Sequence, residues 1–102
     1  MGIRQQGSVA VTTLEGTAST TATAAATLTN AANPKRLSLF IQNTGSVTIY
    51  YRLDSTLPTS ASAPLVPGDW YEAEPGAIPA GAIHLLAASG TPTYTIRTTG
   101  GV

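Results

Sequence analysis

Residues 33–53, NPKRLSLFIQNTGSVTIYYRL, constrain the fold of this chain more than any other stretch. Leu37, Leu39 and Ile41 alternate with Ser38, Phe40 and Gln42. After Asn43-Thr44-Gly45-Ser46, residues Val47, Ile49, Tyr51 and Leu53 alternate with Thr48, Tyr50 and Arg52. Period-two alternation bounded by Asn, Gly and Pro is the signature of half-buried β-strands. The spacing predicts two strands of a hairpin joined by a polar turn, with one face on a core and the other toward water or a partner.

The rest of the chain continues the pattern. Residues 8–14 alternate weakly and predict a first strand. Residues 17–29, TASTTATAAATLT, are rich in alanine, but the dense threonines oppose a helix because β-branched side chains lose rotamer freedom there. This segment reads as one strand of small side chains, with a flexible linker as the alternative. Asn33-Pro34 marks a turn, since proline drives the preceding residue out of the helical region. Residues 54–64 form a polar loop carrying Pro58 and Pro64. Leu65-Val66, then Trp70-Tyr71-Glu72-Ala73-Glu74, read as short strands around the turn Pro67-Gly68-Asp69. Ile83–Ala88 is apolar throughout and predicts a central strand, and Ser89-Gly90-Thr91 turns the chain into a last strand at 93–98.

Seven or eight short strands at this spacing, with no convincing helix start, predict an all-β fold. The expected architecture is a single antiparallel β-sandwich, jelly-roll or immunoglobulin-like, over residues 8–102, preceded by an extended polar arm at 1–7. Strand count does not separate the two topologies. The parity places Leu37, Leu39, Ile41, Val47, Ile49, Tyr51, Ile83, Leu85 and Ile96 in the core.

Composition bounds the function. The chain has 102 residues, no cysteine, and five basic against five acidic residues. Such a neutral chain lacks the basic footprint of a nucleic-acid binder, and no thiol chemistry is available to it. No apolar run approaches a membrane span, and the N-terminus lacks the apolar core of a signal peptide, so neither membrane nor export is expected. A surface this poor in charge is weakly protected against association. It suits either an extracellular β domain or a subunit covered in an assembly.

The chemical inventory is thin. His84, the one histidine, lies within an apolar strand and reads as a hydrogen-bonded structural residue. Glu72 and Glu74 sit two apart, so a strand would put both on one face at a spacing loosely like that of glycosidase carboxylates. A solvated or partner-facing acidic spot is the plainer reading. Asp54 and Asp69 fit turn formation better than a calcium loop. No base–orienter pair completes a nucleophilic triad. The expectation is a non-enzymatic protein with no cofactor and no metal. Trp70 and the four tyrosines could form a sugar-stacking platform; Tyr51 and Tyr94 have inward parity, Tyr50 outward, and Trp70 and Tyr71 could anchor a contact.

The run Asn33-Pro34-Lys35-Arg36, the strand ending Ile41-Gln42-Asn43, then Gly45 and Val47–Tyr51 resembles a pattern in small structural proteins of tailed bacteriophages. So do Leu65-Val66-Pro67-Gly68, Pro75-Gly76-Ala77-Ile78, Gly81-Ala82-Ile83 and a final Ala88-Ser89-Gly90-Thr91 hairpin. The similarity covers roughly residues 18–98 and consists of turn and core motifs. It implies a β-sandwich virion subunit, a capsid decoration or cement protein on the capsid surface, assembled in the host cytoplasm. It further implies a homotrimer that bridges major capsid subunits or another virion protein, with no catalytic residues. The interface candidates are Ile3, Arg4, Gln5, Gln6, Tyr50, Arg52, Trp70 and Tyr71. The alternative is a carbohydrate-binding or tail- and fibre-associated module that recognises host surface glycans.

Overall fold

The computed structural model describes residues 11–23 and 25–101. Eight strands account for its regular structure, and no helix occurs among the described residues. They are β1 (Val11–Thr21), β2 (Thr27–Asn30), β3 (Arg36–Asn43), β4 (Ile49–Arg52), β5 (Ala63–Leu65), β6 (Trp70–Glu72), β7 (Ile83–Ala87) and β8 (Thr93–Gly101). They form two four-stranded sheets of antiparallel pairs, ordered β1-β8-β3-β6 and β2-β7-β4-β5. The expected arm, with Ile3, Arg4, Gln5 and Gln6, lies outside the described residues.

The pairing is nested. β1 pairs with β8, β2 with β7, β3 with β6, and β4 with β5, while β3·β8 and β4·β7 contacts join these ribbons within each sheet. Every connection crosses from one sheet to the other except that between β4 and β5. This corrects two expectations. Residues 33–53 are not a hairpin, and neither is the turn at 88–91: β3 and β4 lie in different sheets, as do β7 and β8. Alternation specifies which face of a strand is buried and is silent about its partner. The end of β3 is committed elsewhere. The Asn43 amide N–H donates to the Asp69 carbonyl (3.0 Å), the Asn43 carbonyl accepts from Gly68 (2.9 Å), and Thr44 N–H donates to Thr93 (3.1 Å). Residues 44–48 therefore carry the chain over to the second sheet.

The core draws on both sheets. Leu39 and Ile41 of β3 and Tyr94 and Ile96 of β8 meet Ile49 of β4, Leu65 of β5, and Ile83, Leu85 and Ala87 of β7. Each fully buried Leu or Ile contributes roughly 1.5–3 kcal/mol. Tyr51 and Tyr71 pack on the rim with their rings tilted and 5.4 Å apart. Burial first, and then the nearby Tyr71 and Asp69, push the Tyr51 phenol above its ordinary pKa.

Two parity expectations fail. Leu37 is 52% exposed, whereas Arg36 is buried. The register of β3 against β8 shifts between Arg36 and Ser38, so Leu37 is an extra residue turned outward. Arg36 replaces it on the inner side. Its Nη1 donates to the Pro79 and Gly81 carbonyls (2.9 and 2.8 Å) and its Nη2 to Ala31 (3.0 Å). Val47 lies in the crossover before β4 and is only half-buried. The expected single strand at 17–29 is likewise two: residues 17–21 belong to β1 and 27–29 to β2, in opposite sheets. The break is fixed at Ala22, whose N–H donates to Pro92 O (3.0 Å), and at Thr23, whose carbonyl accepts from Ala87 (2.8 Å).

Candidate functional site

Two solvent-facing surfaces result, one per sheet. On the outer face of β2-β7-β4-β5, Tyr50 and Leu86 stand opposite each other in register and are half-exposed. The loop after β4 folds Leu57 and Pro58 toward them, leaving a shallow apolar groove of about 590 Å³ bordered also by Ala26 and Ala88. Farther along this face, Arg52 pairs with Asp54 through Nε–Oδ1 (3.0 Å) and Nη2–Oδ2 (2.6 Å). Asp54 Oδ1 also accepts from Thr56 N–H (3.0 Å). These bonds, the Arg52 one foremost, hold the Asp54 carboxyl down to about 2. His84 is buried beneath the same loop, where its Nδ1 bonds the Asp54 carbonyl at 3.0 Å. The expected structural, hydrogen-bonded histidine is what the strand holds. Asp54 and Asp69 both make the turn-type bonds expected of them, Asp69 through its own Oδ1 to Trp70 N–H (2.9 Å).

On the outer face of β1-β8-β3-β6, Phe40 lies between Arg97 of β8 and Glu72 of β6 in the register. The Arg97 guanidinium carbon is 5.4 Å from the Phe40 ring centroid, within cation–π range. Ser38 Oγ and Thr99 Oγ1 are hydrogen-bonded at 2.7 Å. A depression of about 350 Å³ opens among Ser38, Phe40, Glu72, Arg97 and Thr99, floored by Leu39 and Ala73. In the next row Trp70 stands opposite Gln42 and is 56% exposed. Glu74 falls past the end of β6, so strand geometry does not tie it to Glu72 as the spacing predicted.

Among the described interface candidates, then, Trp70 is exposed on an edge strand and Tyr50 lines a groove. Arg52 is engaged with Asp54, and Tyr71 points inward against the core. Sequence reasoning passed over Phe40 and Arg97. Phe40 was visible as an aromatic residue on the outward parity of a strand, but its flanking charges become neighbours only through pairing with β6 and β8. Among the described residues, no three His, Asp or Glu side chains are grouped so as to hold a metal ion.

No protein-family model matches the chain, and neither a curated protein nor a solved structure matches it.

Proposed function

We infer that the two sheets form a single jelly-roll sandwich and that the protein is a non-enzymatic structural subunit of a phage virion, a capsid decoration or cement protein acting as a homotrimer. The nested strand pairing and the core shared between sheets support the jelly roll, in which eight strands make two Greek keys. An immunoglobulin-like chain would keep more sequence neighbours in one sheet.

The observation that carries the functional reading is the surface. Leu28, Leu37, Leu57, Val66 and Trp70 are each more than half exposed, and the Tyr50–Leu86 face adds an apolar groove, on a chain with five basic and five acidic residues. A surface so apolar and so weakly charged favours association, and closed symmetry satisfies it without open-ended growth. Contacts with several capsid subunits would then add through effective concentration.

The test is to mix purified protein with shells assembled from the major capsid protein of the genome that encodes it. Shell occupancy is read by cryo-electron microscopy and the oligomeric state by light scattering. Ordered trimers on the shell surface are expected. A monomer that leaves shells bare at every concentration overturns the reading.

A further inference from the structure

We propose that the outer face of β1-β8-β3-β6 is a saccharide-binding site, centred on Phe40, Glu72 and Arg97 with Trp70 as a second stacking surface. The register fixes the arrangement: Phe40 is the direct partner of Arg97 on one side and of Glu72 on the other. Strands lie roughly 4.8 Å apart, so the two charged residues are rooted about 10 Å from each other with an aromatic ring between them. Arg97 rests against Phe40, and the Glu72 carboxylate has no hydrogen bond or ion pair among the described residues. Both groups thus keep hydrogen-bonding capacity toward a ligand. The Ser38–Thr99 hydroxyl pair closes one end, and each hydroxyl retains further capacity after bonding the other.

The depression exists because β6 leaves the sheet early. Its strand ends at Glu72, Ala73 N–H makes a last bond to Leu39 O at 3.0 Å, and the stretch of β3 around Ser38 is left without a β6 partner. The resulting volume of about 350 Å³ falls at the lower end of small-molecule sites, about 300–1,000 Å³. Trp70 precedes Glu72 by two residues on the same strand, hence on the same face and roughly 7 Å along it.

The chemistry selects the ligand. An anion attracted by Arg97 meets Glu72, and a cation attracted by Glu72 meets Arg97. A purely apolar segment would desolvate both charges without replacing their hydrogen bonds. A neutral sugar ring carries C–H faces for the aromatic surfaces. Its vicinal hydroxyls donate to the carboxylate at one edge and accept from the guanidinium at the other. The site shares Trp70 with the apolar surface of the capsid reading, but its centre at Phe40, Glu72 and Arg97 lies on the other sheet from the Tyr50–Leu86 groove, so either reading can fail without the other.

The experiment titrates the full-length protein with five probes: methyl glucoside, methyl mannoside, methyl galactoside, N-acetylglucosamine and rhamnose. Glycerol serves as the non-ring control. Each is added to about 50 mM, because an open, single-ring site is expected near millimolar affinity. Trp70 is the one tryptophan, so its emission reports the face directly, and amide shifts in nitrogen-15 spectra map it. At least one sugar should saturate, shifting Trp70 emission and the amides of Phe40, Glu72 and Arg97. Glu72→Gln and Arg97→Gln, both at exposed positions, should each weaken that sugar by about tenfold or more with an unchanged unfolding midpoint. Three results overturn the proposal: no saturation by any probe, saturation mapped away from these residues or matched by glycerol, or variants that fold and bind as the parent does.

Discussion

Asn43 is fully buried, yet its side chain is completely used. Its Nδ2 donates to the Val47 and Leu65 carbonyls (both 2.8 Å) and its Oδ1 accepts from Gly45 N–H (2.9 Å). Asn43→Leu leaves the buried Leu65 carbonyl unsatisfied, at about 1–3 kcal/mol, and the part-buried Val47 carbonyl and Gly45 N–H at less, since water can reach them. Urea unfolding should register a loss of about 2–4 kcal/mol, while Ile49→Ala should cost about 2–5 kcal/mol through the cavity it leaves. Arg36→Lys should also destabilise, because an ammonium cannot address the carbonyls on either side as a planar fork does. The Arg52–Asp54 pair is exposed and screened by water, so its signature is pH rather than magnitude. The Asp54 carboxyl titrates near 2 in the fold against 3.8 ordinarily. A depressed folded-state value stabilises above the unfolded one and is lost as pH falls through the folded one. Stability should therefore decline between about pH 4 and pH 2 with a contribution from this group that Arg52→Ala reduces, the Thr56 N–H bond to the carboxylate remaining. Carbon-detected titration of Asp54 checks it: an ordinary midpoint in the parent protein would exclude the pair as the cause.

At the scale of elements, alternation was readable and partnership was not. Leu39, Ile41, Ile49, Ile83, Leu85 and Ile96 are buried as their parity required. The pairing of β3 with β8 and β6, by contrast, joins residues 28 to 64 positions apart, and nothing local encodes it. The turn chemistry at 43–46 signalled a reversal that the chain makes between sheets rather than within one. Leu37 was misplaced because a one-residue bulge inverts parity without altering the local sequence pattern. The candidate sugar site shares this limit: its aromatic residue was visible on an outward parity, whereas its flanking charges meet only across strands. Gly45 makes the crossover physically specific. A Cβ there would stand 2.8 Å from Pro92 Cα and from Thr93 N, both backbone atoms. Gly45→Ala must therefore displace the start of β8 or the crossover itself, and thermal or urea unfolding should show a cost of about 1–3 kcal/mol. An unchanged midpoint would mean that this approach is not tight. A Cβ at Gly81 would likewise meet backbone at 3.0 Å, at Asp54 Cα, which ties the loop before β7 to the Arg52–Asp54 turn.

At the scale of the molecule, a neutral surface makes a distinctive forecast for assembly. Attachment through exposed ion pairs would weaken sharply between about 0.1 and 1 M salt, as the screening length drops from about 10 to 3 Å. Attachment through apolar area is insensitive to that change or strengthened by salting-out anions. With Leu28, Leu57, Trp70 and the Tyr50–Leu86 groove as the apolar surface, occupancy on shells should vary little across this range. A specific interface would bury on the order of 1,200–2,000 Å² in total. The polar arm that the sequence predicts at residues 1–7 lies outside the described residues. An extended segment ordered on binding adds contact area at an entropic cost and leaves the folded domain's own stability unchanged. Deleting residues 1–7 should accordingly lower shell occupancy while leaving the thermal midpoint of the isolated protein within about 2 °C. The pair of measurements separates the roles. Lost occupancy with a kept midpoint assigns the arm to attachment, a fallen midpoint assigns it to the fold, and unchanged occupancy leaves the sheet faces as the whole of the binding surface.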